Sequence, residues 1–354
     1  MNQNFYRNLI AGANEGFGRS LLRFLLRLVS VAYKAVVGLR NFCYDKHLLR
    51  MISIGVPVIS VGNITTGGTG KTPLVIWLCG VLEKRSLKCA VLTRGYKASG
   101  AGFADEPVVL ARSCPGANVV VNSDRARGAQ KAIADFDADV LVMDDGFQHR
   151  RLRRDLDIVA VDATCPFGYG RVLPAGMLRE PVRALRRADA VVITRYDQAT
   201  AEQVEQLQKQ IGQIAPAVTV AKAVHKHPYA RANKGRIIGI SELKDKSIFA
   251  FCGIGNPDAF MKRLREYELS VVGSKVYSDH HDYKDEDVSD IYEQARLLGA
   301  NLILSTEKDW VKSTLLAPRD EDIIFAYLAC ELEFIDGVDK IEALIQKTVG
   351  RLDG

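Results

Sequence analysis

Residues Val58–Leu78, VISVGNITTGGTGKTPLVIWL, decide how this chain is read. A β-branched run climbs to Gly62, a Gly/Thr-rich loop follows, and Lys71-Thr72-Pro73 opens an apolar stretch. Strand, glycine-rich loop and helix in that order make a phosphate-binding loop, whose backbone N–H groups turn inward around phosphate oxygens. Gly67, Gly68 and Gly70 supply the backbone freedom for the turn. Pro73 falls in the first helical turn, where proline is tolerated. Thr65 departs from the usual G-x-x-x-x-G-K-[ST] pattern, standing at its first glycine. The segment Thr65, Thr66, Gly67, Gly68, Thr69, Gly70, Lys71 and Thr72 is the expected nucleotide cradle. Lys71 would reach the β/γ-phosphates and the Thr72 hydroxyl would bind Mg²⁺.

A second element should bring a carboxylate to that metal. The run LVMDDGFQH ends at Asp144 and Asp145, placed by the pattern at the C-terminal end of a strand. Ligands of α/β sheets gather at that edge, and two adjacent acids there serve a metal better than a core. No N-K-x-D appears to specify GTP; in TEKD, Thr306–Asp309, Lys308 and Asp309 are adjacent, the wrong spacing. ATP is therefore the expected nucleotide. The GIGNPD segment, Gly253–Asp258, is no dinucleotide fingerprint, because Asp258 occupies the third glycine position.

Outward from the loop, β-branched runs alternate with helical ones. Strands are expected at 57–62, 89–93, 119–121, 140–145, 157–162 and 190–194, with helices at 72–84, 124–134 and 199–214 between them. Such alternation predicts a mainly parallel sheet covered on both faces. A smaller α/β unit follows, with strands at 247–252, 269–272, 301–305 and 322–326 and helices near 257–267, 285–298 and 308–315. The basic, proline-containing segment HKHPYARANKGR, His225–Arg236, marks the boundary. The expected organisation is an N-terminal helical region over 1–50, a phosphate-loop domain over 51–225 and a second domain over 226–335. Segments 218–225 and 327–334 are expected to pair as bridging strands, and a last helix, 336–354, to return to the first domain.

The N-terminus has membrane character without a span of 18 apolar residues. In RSLLRFLLRLVSVAYKAVVGL, Arg19–Leu39, the residues Arg19, Arg23, Arg27 and Lys34 fall within about 80° of one another on a helix. Residues 16–50 carry seven Lys/Arg against one acid, Asp45. Two readings fit: an amphipathic helix packed on its own domain, or one lying in the interface of an anionic leaflet with its basic side chains at the headgroups. The second is the sharper expectation. Net charge is +6, modest and clustered, and the 47% hydrophobic, 25% charged composition is that of a folded chain. Seven scattered cysteines without C-x-x-C spacing read as reduced core thiols, not a zinc site or disulfide frame.

Arginines crowd the segment after the paired acids: Arg150, Arg151, Arg153, Arg154, Arg171, Arg179, Arg183, Arg186, Arg187 and Arg195. Together they favour an anionic acceptor, since guanidinium binds phosphate in a bidentate fork. No DNA- or RNA-binding motif accompanies them, so nucleic acid is not an expected partner. The ordered series GNITTGGTGKTP, RGY (Arg94–Tyr96), ADEP (Ala104–Pro107), DDGFQHR, LPAGMLREP (Leu173–Pro181), GIGNP, DHHDY and STEKD resembles the tetraacyldisaccharide 4'-kinase family, the lipid A 4'-kinases, over about residues 20 to 335.

The resemblance implies a membrane-associated kinase at the cytoplasmic face of the inner membrane. It would move the ATP γ-phosphate to the 4'-hydroxyl of an acylated disaccharide 1-phosphate, with no obligatory protein partner. By motif it places the general base on Asp105, paired with His280. It places metal-site positions on Thr72, Asp145, Gln148 and Glu180, beside Asp144 from the strand pattern, and the phosphate-contacting arginine on Arg179. His281 also follows Asp279, and Ala104 stands where the family often has glycine. With Asp105 assigned to the first domain and His280 to the second, the pair would be completed by domain closure, which also excludes water. Two other classes compete: an ATPase switch docked on membranes, and a lipid-binding protein with a degenerate loop.

Overall fold

The computed structural model describes residues 3–12, 16–95, 105–279, 281–316 and 322–350. Its helices are α1 (Gln3–Ala11), α2 (Phe17–Asp45), α3 (Lys71–Glu83), α4 (Asp105–Ser113), α5 (Arg125–Phe136), α6 (Ala201–Ile214), α7 (Ile240–Lys244), α8 (Pro257–Glu266), α9 (Asp285–Leu297), α10 (Glu307–Ser313) and α11 (Val338–Val349). The strands are β1 (Val58–Gly62), β2 (Cys89–Thr93), β3 (Ala117–Val121), β4 (Val140–Asp144), β5 (Leu156–Asp162), β6 (Ala190–Thr194) and β7 (Thr219–Lys226). After them come β8 (Tyr229–Ala232), β9 (Ile237–Gly239), β10 (Ile248–Cys252), β11 (Val271–Val276), β12 (Leu302–Thr306), β13 (Ile324–Leu328) and β14 (Glu331–Asp336).

The chain divides into two compact units. The first carries an eight-stranded sheet ordered β14-β7-β6-β5-β1-β4-β2-β3. Strands β1 to β7 pair in parallel, and β1, β2, β4, β5 and β6 are buried along their whole length. Helices cover both faces of such a sheet, which is why its strands read as unbroken apolar runs. The strand order places β4 against β1 although β2 and β3 precede it in the chain, so Val61 pairs with Asp144. The strand leading into the glycine loop thus ends beside the paired acids. Gly62 is needed there, because a Cβ on it would lie 2.5 Å from the Phe147 Cβ and 2.7 Å from its backbone N. Gly62→Ala is expected to cost about 2–3 kcal/mol by overpacking, read as a lowered thermal midpoint in circular dichroism; an unchanged midpoint would contradict this packing.

The second unit holds a six-stranded sheet ordered β11-β10-β12-β13-β8-β9. β10 to β13 pair in parallel, and β8 and β9 close one edge antiparallel. Two apolar clusters flank it, one around Leu264, Leu302 and Ile248, the other around Trp310, Phe251 and Tyr292.

Two expectations change. Segment 95–113 belongs to the second unit, with 225–331, rather than to the phosphate-loop domain. The reason is the packing of α4 on α10: Ser113 Oγ donates to Glu307 Oε1 at 2.6 Å, the Arg112 guanidinium stacks 4.0 Å from the Trp310 ring centre, and Lys308 Nζ lies 3.5 Å from Glu106 Oε1. The expected strand over 327–334 is two: Tyr327 and Leu328 end β13 of the second sheet, and the chain then enters β14, which flanks β7 in the first. The last helix, α11, lies in the first unit.

No helix among the described residues is long and apolar enough to cross a membrane. α2 packs one side on the first unit, burying Ser30, Val37 and Tyr44. Its other side exposes Phe17 (90%), Val31 and Val36 (67% each), Leu39, Leu28 and Phe24.

Candidate active site

The glycine loop runs from β1 into α3, with Gly70 at the helix N-cap in the left-handed region (φ 81°) and Gly67 at φ 112°. Its shape is held by residues that periodicity does not reveal. Asn63 Nδ2 donates to Thr69 Oγ1 at 3.0 Å, the Thr194 hydroxyl at the end of β6 donates to Thr69 O at 2.8 Å, and Gln148 Nε2 donates to Asn63 O at 2.8 Å. Thr65 also finds its reason. It forms an antiparallel bridge with Leu178, and Thr66 N donates to Met177 O at 2.7 Å. The loop's first half is therefore extended backbone bolted to the LPAGMLREP segment, a conformation that needs no glycine.

Lys71 is the first residue of α3, and its Nζ stands 3.3 Å from Asp145 Oδ1. Arg179 comes from the facing segment, where its N donates to Ile64 O at 2.8 Å. Its Nη1 reaches both Asp145 oxygens, at 2.9 and 2.7 Å, and Gln148 Oε1 at 3.4 Å. Burial alone would raise the Asp145 carboxyl; the charges and hydrogen bonds of Lys71 and Arg179 outweigh it and hold the group below the usual carboxylate range. Asp145 is thus ionised at neutral pH, in the left-handed region (φ 50°) that turns it off the strand end toward the loop.

The remaining metal-site positions stand further back. Asp144 is buried at 4% exposure, in register with Val61. Glu180 is 1% exposed and its carboxylate is taken: Arg187 Nη1 lies 3.0 Å and Asn41 Nδ2 2.7 Å from Oε2. As arranged, Glu180 supports the site from behind and is not offered to an ion. Among the described residues there is no group of three or more His, Cys, Asp and Glu side chains able to hold a metal. A Thr hydroxyl and a carboxylate beside a phosphate cradle nevertheless suit Mg²⁺, which keeps waters and substrate phosphates as most of its ligands. His149, pushed down to about 4 by burial and by the charges of Arg125, Arg154 and Arg94, is neutral at pH 7 and contributes no cation.

Asp105 opens α4, and its side chain is outside the described residues, as is His280 entirely. The segment bearing Asp105 lies in the unit that also contains the DHHDY stretch. Both segments thus fall in one unit, where the sequence expectation assigned them to two. The neighbouring His281 is committed: its Nε2 is 2.9 Å from Asp287 Oδ2 and its ring stacks 4.6 Å from that of Tyr277. GIGNP, DHHDY and STEKD converge on Asp309, which accepts from the Tyr283 hydroxyl at 3.0 Å and from Thr306 Oγ1 at 2.5 Å, while a Cβ on Gly253 would lie a tight 3.0 Å from the Tyr283 hydroxyl and 3.1 Å from Asp309 Oδ1. These motifs thus include a buried polar brace at the C-terminal edge of β10 and β12, a role that their spacing does not announce.

Residues 22–350 match the family model of tetraacyldisaccharide-1-P 4'-kinase, LpxK. The tetraacyldisaccharide 4'-kinase of Syntrophus aciditrophicus is 39% identical over 328 residues, covering 86% of this chain and 87% of the relative. That of an Anaeromyxobacter species is 36% identical over 353 residues, covering 95% and 94%. A crystal structure of LpxK from Aquifex aeolicus, described as an "apo" form in complex with ATP, matches with a TM-score of 0.75 at 29% identity, covering 93% of this chain and 99% of that one. A kinase-type phosphate loop facing Lys71, Asp145 and Arg179, in a chain matched over most of its length, places it in the tetraacyldisaccharide-1-P 4'-kinase family, the kinases of lipid A biosynthesis.

Proposed function

We propose that this chain binds ATP with Mg²⁺ and transfers the γ-phosphate to the 4'-hydroxyl of an acylated disaccharide 1-phosphate presented at an anionic membrane surface, on the cytoplasmic face of the inner membrane. The carrying observation is the convergence of Lys71, Asp145 and Arg179 beside the glycine loop. Thr72 and Asp145 would hold the metal, with Gln148 beside them and Asp144 and Glu180 behind. When bound, Mg²⁺ supplies positive charge to the β- and γ-phosphate oxygens.

The protein's own part is positional and electrostatic. Backbone N–H groups over Gly67–Lys71 orient the polyphosphate. Lys71 and Arg179, already fixed around Asp145, are aimed at charge that grows on the transferred group, so little reorganisation accompanies transfer. Asp105 is assigned the proton of the acceptor hydroxyl, with His280 sharing or steadying that charge. The exposed face of α2 and its Arg19, Arg23, Arg27 and Lys34 would seat the protein on anionic lipid, each cation contributing about 1 kcal/mol near the surface.

ADP release that depends on the acylated disaccharide 1-phosphate tests the reading: ATP turnover indifferent to the lipid favours the ATPase switch, and failure to bind ATP favours the lipid-binding protein. Asp105→Ala and His280→Ala are expected to act as one unit, each keeping near-normal ATP affinity while losing turnover. The double variant should lose far less than the product of the single losses. His281→Ala, acting on a side chain held by Asp287, should cost less than His280→Ala; the reverse order would move the role one residue along.

A further inference from the structure

α2 does more than carry an apolar face. Its inner side holds the segment that bears Arg179 and Glu180. Ser30 Oγ donates to Val172 O at 2.8 Å, the Tyr33 hydroxyl donates to Arg179 O at 2.9 Å, Asn41 Nδ2 donates to Glu180 Oε2 at 2.7 Å, and Arg40 donates to Gln148 O. The same segment is bolted on its other side to the glycine loop through Leu178 and Met177. Glu180 in turn holds Arg187, whose guanidinium lies 4.5 Å from the Phe147 ring centre, and Phe147 presses on Gly62 where β1 enters the loop. Asn41 is thus the outer end of a chain of fixed contacts reaching the phosphate site from behind.

Its amide makes that reach at a cost. Asn41 Oδ1 is buried with no hydrogen-bond partner, a condition that destabilises because the group loses its water without replacement. The opposite amide orientation would put Oδ1 against the Glu180 carboxylate, so the donor assignment is fixed by charge. The outward side of α2 meanwhile exposes Leu21, Phe24, Leu28, Val31 and Leu39, an apolar strip that suits the headgroup boundary of a bilayer, with the basic stripe of Arg19, Arg23, Arg27 and Lys34 turned away from it toward the packed side. One helix therefore faces the bilayer on one side and the catalytic segment on the other.

We propose that Asn41 is a positioning residue for phosphoryl transfer, through which seating of α2 on an anionic bilayer fixes the Arg179–Glu180 segment around the nucleotide. This rests on the kinase reading above. A bilayer that favours the docked position of α2 must then favour ATP binding, and ATP must favour vesicle binding by the same factor.

The test uses the full chain with vesicles of phosphatidylglycerol and phosphatidylethanolamine. For the wild type, the vesicles should tighten ATP binding about threefold or more. For Asn41→Ala, with vesicle co-sedimentation and the thermal midpoint close to wild type, the vesicles should leave ATP affinity unchanged. Its kcat on vesicle-borne acylated disaccharide 1-phosphate should fall about tenfold, with the Kd for ATP in vesicle-free buffer within about twofold of wild type. Asn41→Gln, which keeps the donor, should retain more turnover than Asn41→Ala, and Asn41→Asp, which sets a second charge against Glu180, should retain less. Wild-type kcat together with the full vesicle effect in Asn41→Ala would overturn the proposal. Failure of the wild type to phosphorylate the lipid would sink the kinase reading instead, while the vesicle effect on ATP affinity would still decide the coupling.

Discussion

Lys71→Ala is expected to lower kinase turnover by at least about 10²-fold, the scale seen when one preorganised donor to transition-state charge is removed. Lys71 opens α3 at the mouth of the glycine loop, and its Nζ stands 3.3 Å from Asp145, which aims it into the site. Truncation removes a cation from a place where water substitutes poorly. It also leaves Asp145 with Arg179 as its remaining close cation. The α3 backbone is untouched, so folding should survive and ATP should still bind, more weakly. Steady-state rates on purified protein decide the matter: a variant within a few-fold of wild type would remove Lys71 from the chemistry.

Asp145→Asn is the second large effect, and its signature differs. In the wild type one carboxylate balances two cations, Lys71 at 3.3 Å and Arg179 at 2.7 Å. Neutralising it leaves both cations free to meet phosphate oxygens. ATP in a chelating buffer should therefore bind at least as tightly as to the wild type, while turnover with Mg²⁺ falls by at least about 10²-fold because a carboxylate for the ion is gone. The paired cations hold the carboxyl below its ordinary range, so its folded-state pKa lies under the unfolded value. By linkage its contribution to stability is present above the unfolded pKa of about 3.9 and is lost as pH falls through the folded value. Asp145 should therefore impose no activity step near neutral pH. Nucleotide titrations with and without Mg²⁺ test the prediction; collapse of metal-free ATP binding in Asp145→Asn would contradict it.

The strands around the nucleotide site were legible because their signals are local. The β-branched runs at Cys89–Thr93 and Ala190–Thr194 coincide with β2 and β6. The glycine loop announced itself by the order of strand, glycines, Lys and Thr. Asp145 was legible for the same reason, standing just past a buried strand. What escaped is what joins distant parts of the chain. Asn41 and Glu180 are 139 residues apart, and no periodicity relates them. Thr194 and Asn63 shape the glycine loop through contacts fixed by strand order. Thr65 looked like a defect in the loop until its bridge to Leu178 showed extended backbone there. Asp105 was assigned to the first domain, yet it opens α4, whose packing on α10 is decided by Arg112, Ser113 and Glu307 together. Glu180 matched a metal position by motif, while the side chains around it, Arg187 and Asn41, determine what its carboxylate does. Of the two readings of the N-terminal helix, packing on its own unit holds for the side that buries Ser30, Val37 and Tyr44, while the apolar residues of the other side remain exposed.

The central claim is tested most directly by following the phosphate. The purified full chain is incubated with γ-labelled ATP, Mg²⁺ and an acylated disaccharide 1-phosphate in anionic vesicles, and the lipid is extracted and analysed. The account predicts label on the lipid, as a second phosphate at the 4'-position, absent when Lys71→Ala replaces the wild type at matched times. Label recovered only as inorganic phosphate, with the lipid still singly phosphorylated, would contradict it.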